Sequence, residues 1–513
     1  MERSCKKGWN KTGMNTEHKD ILLTEARLSS PPAEQLMRHY QRPGLAREQR
    51  QFKDFVAVDL AHTAMLVEEG ILARDQGAAI LKTLLEIRDL SVEDFPVDAL
   101  KGSFLLQVEA YLSQRIGEDI AGRMHTGRSR IDQGATVRRR FKRDRMLDVM
   151  ERLIRLQVAL IGQAKRHART IMPGYTHMQH AQPWVFGHYL LSFCTKFRED
   201  FQRMVECYAR VNLNPLGTVG LSGTSWPLNR QRTTELLGFS GLVENSKLGR
   251  EAYYAAEAVA ALSYAMCDLN DLATDLHVWS TTEFGLVESD DAFCGTSSIF
   301  PQKKNPSALE TIKRAGGGAV TWLATALATY RAEGTGDQAM RTLPMIDDAF
   351  NTTEGMFDLG AGVVDTLIVH EDRMRELVSN SWCTASNLAD VVVREAGLSF
   401  RQTHHIVARL VRICLAEKIL PSRVTVAILN RAAQEIISKD LHLSESALRE
   451  ALDPDVFVRT RVTTGSVAPN EVDRMLAAEQ QGLEQATAWL SAERQRIADA
   501  ARKLDSAVRQ ITG

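Results

Sequence analysis

Three polar islands interrupt an otherwise helix-like sequence, and each holds side chains suited to carboxylates and protons. The first is Arg123-Met-His-Thr-Gly-Arg-Ser-Arg-Ile-Asp-Gln133. A guanidinium is a planar fork that matches a carboxylate. Backbone N–H groups just ahead of a helix also favour an anion. The island reads as a carboxylate-binding loop, or else as a solvated basic loop capped by Asp132. The second island, Met172 to Pro183, sets Thr176, His177, Gln179, His180 and Gln182 between two prolines. Such density suits a ligand pocket between helices. A histidine there can titrate near neutral pH, although a lone histidine also serves structure. The third runs from Cys294 to Glu310 and holds Ser297, Ser298, Lys303 and Asn305, with Pro306 opening a helix. A small-residue turn carrying lysines can close over an anion and neutralise developing charge. A serine acts as a base only where cations or a helix N-terminus stabilise its oxyanion. A plain surface turn is the competing reading.

Long helices must position these islands. Thr136 to Met172 contains one glycine and no proline, and Met146, Leu147, Val149, Met150, Leu153, Ile154, Leu156 and Val158 recur largely at three- and four-residue spacing. Arg250 to Phe284 has neither glycine nor proline and is rich in alanine. A continuous helix there would run about 50 Å. Its apolar residues cover more than one face, so other helices must bury it. Further helices are expected over 187–212 and 306–332. Strand signals are confined to 219–221 and 462–467, and no βαβ alternation occurs, so the fold is expected to be all-α. The run Arg138-Arg-Arg-Phe-Lys-Arg143 reads as an exposed helix face. Three regions are expected: 1–126, mixed helical, with 1–45 a flexible or packed arm; 127–380, the long helices; and 381–513, a smaller helical region. So much apolar helix surface points to oligomerisation through a shared bundle.

Composition narrows the function classes. A chain of 513 residues exceeds one ordinary core. Lysine and arginine number 63 against 64 acidic residues, a net charge of -1, which disfavours nucleic acid as the main partner. No run approaches the roughly 18 apolar residues of a membrane span. The N-terminus lacks the apolar centre of a secretory signal. Seven dispersed cysteines read as reduced thiols of a cytoplasmic protein, with no zinc site.

Seven segments, in order, resemble argininosuccinate lyase and so the fumarase/aspartase superfamily: HTGRSR (125–130), MPGYTHMQ (172–179), NPLGTVGLSGTSWPLNR (214–230), ENS (244–246), WSTTEFG (279–285), SSIFPQKKNP (297–306) and HHIVARLV (404–411). The resemblance implies an almost all-α, three-domain subunit. It implies a homotetramer around a central long-helix bundle, with each active site shared by three chains. It also implies cofactor-free and metal-free β-elimination of fumarate from a succinyl group. Residue by residue, Ser297 is implied as the base that takes the Cβ proton, with Ser298 as the fallback. Lys303 and Asn305 bind the carboxylate beside the carbanion. His177, held by Glu310, serves the site from another chain with Thr176. Whether His177 protonates the leaving nitrogen or only orients the site stays open. Ser129 and Arg130 match the carboxylate-binding loop, and Gln179 matches a substrate contact.

The departures concern substrate. Ile131 replaces an asparagine, Thr296 a glycine and Phe300 a methionine, and the stretch 334–345 has no convincing equivalent of the family's contacts to arginine. Asp59 stands where the family has a substrate-contacting serine, and an acid there would favour an amine. The expectation is a carbon–nitrogen lyase acting on an N-succinyl amine or amino acid other than argininosuccinate. An inactive, crystallin-like structural relative is the second class. A polynucleotide binder using Arg138 to Arg145 is the third.

Overall fold

A computed structural model describes residues 31–331, 338 and 343–513. Residues 1–30 of the expected arm, and 334–337 and 339–342 of the divergent stretch, lie outside them. The N-terminal region holds α1 (Phe52–Glu68), α2 (Arg74–Asp89) and α3 (Phe104–Ile116). The long α4 (Arg130–Arg166) follows, then a hairpin of β1 (Ile171–Thr176) and β2 (Gln179–Val185), and α5 (Phe186–Val211). Next come α6 (Arg230–Leu237), α7 (Tyr253–Trp279) and the short β3 (Val287–Glu288). A second hairpin, β4 (Gly295–Thr296) and β5 (Lys304–Asn305), leads into α8 (Ser307–Ala319) and α9 (Trp322–Tyr330). After α10 (Pro344–Asp365) and β6 (Ile368–Val369), the chain forms α11 (Ala385–Ala396), α12 (Phe400–Ala416), α13 (Val426–Ile437) and the closing α14 (Pro469–Thr512). The described residues are mainly helical, with paired strands confined to short two-stranded sheets.

Helix α4 packs on α5 and α10, and α7 packs on α5, α8 and α10. The periodic residues Met146, Leu147, Met150, Leu153 and Leu156 are all buried in this central cluster, where apolar burial is the main stabilising term. Helix α4 begins at Arg130 rather than Thr136 because Ser129 and Asp132 form a capping box. The helix expected over 306–332 breaks after Ala319, following three consecutive glycines that weaken helix propensity. The first of these, Gly316, also lets α8 approach α7: a Cβ there would sit 2.7 Å from the Asn270 Cβ.

Three expectations are corrected. Residues 219–221 and 462–467 are turns and irregular chain, and the main hairpin is instead 171–185. The arginine run is not an exposed face. Arg139 is buried, lies 3.9 Å over the Tyr254 ring and donates to the carbonyls of Arg210 and Val211. Arg143 is fully buried and donates to the carbonyls of Leu237 and Gly238, and Arg140 pairs with Asp54 at 2.7 Å. These arginines satisfy the orphan carbonyls at the C-termini of α5 and α6. That leaves the run unavailable to a polynucleotide. Lastly, α14 does not stay with the residues before it. Leu388, Ile406, Leu410 and Leu429 form a separate core, whereas α14 buries Val472 and Leu490 in the central cluster and Leu504, Val508 and Ile511 in the N-terminal one.

Gly316→Leu is expected to force α7 and α8 apart and cost about 1–3 kcal/mol. Chemical denaturation measures this, and an unchanged unfolding free energy would contradict the close approach.

Candidate functional site

The first island is held rigidly at the start of α4. Ser129 caps α4, its hydroxyl accepting from the Ile131 N–H at 3.2 Å. Asp132, fully buried, accepts from the Ser129 N–H at 2.8 Å through one carboxylate oxygen. Its other oxygen accepts from the N–H groups of Gly217 at 2.8 Å and Val219 at 3.0 Å. One carboxylate therefore ties the loop to the 214–223 turn, where Val219 sits at φ 55. Burial raises the Asp132 pKa, while these N–H groups oppose the rise. Arg130 remains exposed at the N-terminus of a 37-residue helix, where the helix dipole favours an anion.

Asp59 does not stand open to a substrate. Its carboxylate is buried, accepting from Arg128 Nη1 at 2.6 Å and Gln133 Nε2 at 2.6 Å. The expected amine contact is corrected on that ground: the loop's own arginine neutralises the acid.

The second island is the tip of the β1–β2 hairpin. Thr176 pairs with Gln179, and His177 and Met178 make the two-residue turn at φ 54 and 58. Both central residues are left-handed, as in a type I′ turn. Without glycine or asparagine this is strained, a condition found at functional sites. Thr176, His177 and Gln179 all face solvent. The hairpin base is fixed by buried Ile171, Met172 and Val185.

The third island is also a hairpin. Gly295 pairs with Asn305 and Thr296 with Lys304, leaving residues 297–303 as the connecting loop. Ser297 Oγ accepts from the backbone N–H of Phe300 at 2.9 Å and, more weakly, of Ile299 at 3.3 Å. Donors aimed at an oxygen favour its charged form. Ser298 and Lys303 are exposed, and Asn305 is half-buried. Lys304 donates to Glu288 at 2.6 Å and pairs with Asp291 at 2.7 Å. Because strand residues alternate faces, this anchor leaves Asn305 on the other side. Glu310 is exposed on α8. The nearby Lys313 ammonium lies 3.1 Å from His277 Nδ1. Burial first, then that cation, lower the His277 pKa, against an opposing pull from Glu310.

The first island does not meet the second within one chain. Ser129 begins α4 and the His177 hairpin follows its end, and 37 residues of helix span roughly 55 Å. Helix α7, 27 residues and roughly 40 Å long, runs alongside α4 in the same sense: Tyr254 packs on Arg139, and Trp279 lies near Tyr175 of the hairpin. The Ser297 loop follows that second end. Within one chain no hydrogen bond or ion pair joins His177 to Glu310 among the described residues.

Comparison with known proteins places this geometry. A lyase family profile matches residues 31–320, and an argininosuccinate lyase C-terminal profile matches 382–459. Argininosuccinate lyase 1 of Shouchella clausii is 34% identical over 486 residues, 94% of this chain and 96% of that one. The argininosuccinate lyase of Methanothrix thermoacetophila is 38% identical over 464 residues, 89% of this chain and 91% of that one. This chain belongs to the fumarase/aspartase superfamily. Within it, the crystal structure of EDDS lyase in complex with formate superposes with a TM-score of 0.85 at 32% identity, covering 94% of this chain and 97% of that one.

Several residues of this superfamily member escaped the sequence reading. Gln133 and Lys304 lie within the islands but carry no role in the sequence reading, and Glu288 lies outside them; Gln133 holds Asp59, and Lys304 with Glu288 holds the Ser297 hairpin. His125 belongs to the same buried setting: burial, then the Arg128 cation, push it down from 6.5 to about 4. His62 is lowered well below 6.5 for the same reasons, and its Nε2 lies 2.9 Å from the Thr126 carbonyl. Both stay neutral in the fold while the unfolded chain takes up protons below 6.5. The stability gained by neutrality is full above pH 6.5 and is lost as pH falls from 6.5 to about 4. His125→Gln should flatten the decline over that window by up to about one proton. Urea titrations across the window give the slope, and one identical to the unsubstituted chain would contradict the assignment.

Proposed function

We propose that this chain is a carbon–nitrogen lyase that reversibly eliminates fumarate from an N-succinyl amine or amino acid, on sites shared between the chains of a homotetramer. The supporting observation is the Ser297 hydroxyl, which receives two backbone N–H groups on a hairpin that also carries Lys303 and Asn305. Ser297 takes the proton from the carbon beside one carboxylate. The electron pair moves onto that carboxylate as a dianionic, enolate-like intermediate. Lys303 and Asn305 then meet charge that is larger in the transition state than in the substrate, which is how binding becomes rate. The C–N bond breaks as the nitrogen leaves with a proton. Ser129 and Arg130 hold the second carboxylate at the N-terminus of α4. Thr176, His177 and Gln179 arrive from another chain, with Glu310 as the expected partner of His177, which either protonates the nitrogen or orients the site.

The tetramer supplies what one chain lacks. A copy running antiparallel along α4 would bring one chain's Ser129 end to another's hairpin end. Large apolar side chains that one chain leaves exposed fit such contacts: Ile299 is 74% exposed, Tyr264 61% and Met178 58%. The free thiols of the six described cysteines fit a cytoplasmic location. None of the described helices is long and apolar enough to cross a membrane. With Asp59 closed, the amine partner is selected elsewhere, and half-buried Ile131 leaves that side of the loop apolar.

Ser297→Ala should lower kcat by about a thousandfold or more while leaving fumarate affinity within about threefold. Ultraviolet absorbance of released fumarate, across a panel of N-succinyl amines, gives kcat, and calorimetry gives the affinity. Near-normal turnover would move the base elsewhere, and no turnover of any compound by the unsubstituted chain would favour a structural protein. In a second test, Ser297→Ala and Arg130→Gln chains are refolded together. The mixture should recover activity that neither has alone, and a mixture as inactive as its parents would contradict shared sites.

A further inference from the structure

The Asp59–Arg128 pair is an unusual way to hold a loop. Both side chains are completely buried, with Asp59 Oδ1 accepting from Arg128 Nη1 and from Gln133 Nε2, each at 2.6 Å. Arg128 lies on the loop just before Ser129, and Gln133 lies in the first turn of α4. One oxygen on α1 therefore grips the chain on both sides of Ser129 and Arg130. Asp132 pins the same junction to Gly217 and Val219 from the other direction.

The pair is poorly built for stability alone. Arg128 Nε and Nη2, Asp59 Oδ2 and Gln133 Oε1 are buried with no hydrogen-bond partner. Buried ion pairs carry a desolvation cost that apolar pairs of similar volume avoid, and incomplete hydrogen bonding deepens it. What the ion pair adds over an apolar contact is direction. A planar guanidinium and a carboxylate fix each other's orientation, whereas apolar side chains slide.

We propose that Asp59 is a positioning residue which, through Arg128 and Gln133, fixes the Ser129–Arg130 receptor for a substrate carboxylate. The proposal rests on the reading of that loop as the receptor. It predicts a separation of stability from affinity. In the double variant Asp59→Leu with Arg128→Met, the buried charges are gone and the volume is nearly kept. The full chain should then melt at or above the unsubstituted midpoint, yet bind fumarate about tenfold more weakly. Gln133→Met strands no charge, and should weaken fumarate by about threefold through the lost bond.

Fumarate is the probe, with its dissociation constant measured by calorimetry and folding by the thermal midpoint. A stable double variant that binds fumarate like the unsubstituted chain overturns the proposal. If the double variant does not fold, Gln133→Met decides, and unchanged affinity there overturns it equally. Arg130→Gln separates the two readings. Weaker fumarate binding in Arg130→Gln with normal binding in the stable double variant removes only the role of Asp59. Unchanged binding in Arg130→Gln, or no fumarate binding by the unsubstituted chain, removes the receptor and the positioning role together.

Discussion

A rigid helix sets the terms for everything this chain can do. Helix α4 has 37 residues, with Ser129 at its start and the His177 hairpin beyond its end. Alpha-helical geometry lets neither island approach the other within one subunit. Helix α7 lies against the same bundle and delivers the Ser297 hairpin to the far end. Chemistry that needs a carboxylate receptor, a base and an orienting histidine at one point therefore requires several copies.

Charge follows the same economy of placement. Buried arginines of α4 end other helices, donating to the terminal carbonyls of α5 and α6. Asp132 joins two loops through backbone N–H groups, and Lys304 anchors the Ser297 hairpin through Glu288 and Asp291. Within the islands Arg130, Lys303, His177 and Gln179 stay exposed. A dicarboxylate would meet these groups on rigid supports, so little reorganisation is required as charge develops.

Periodicity carried the long central helices because their apolar faces are continuous, as Met146, Met150, Leu153 and Leu156 illustrate. It failed where local and tertiary signals diverge. The hairpin at 171–185 contains two prolines, a glycine and a turn without glycine or asparagine at its centre. Nothing in it alternates cleanly, so it reads as a loop. The arginine run looked solvated because charge is usually exposed, and its carbonyl partners lie about 70 to 95 residues away. Leu476, Leu483, Leu490, Ile497, Leu504 and Ile511 recur every seven residues, a pattern that announces the closing helix; reading the C-terminus as one small region passed over it. Asp59 is the instructive case within the site. Its position suggested a substrate contact, whereas its partners lie 69 and 74 residues away and close over it.

The most direct measurement is a crystal structure of the unsubstituted protein grown with fumarate. The expected result is one fumarate per site, with one carboxylate against Ser129 and Arg130 of one chain and the other against Lys303 and Asn305 of a second, and His177 of a third chain within contact. Fumarate held by a single chain, or bound away from the Ser297 hairpin, would contradict the account.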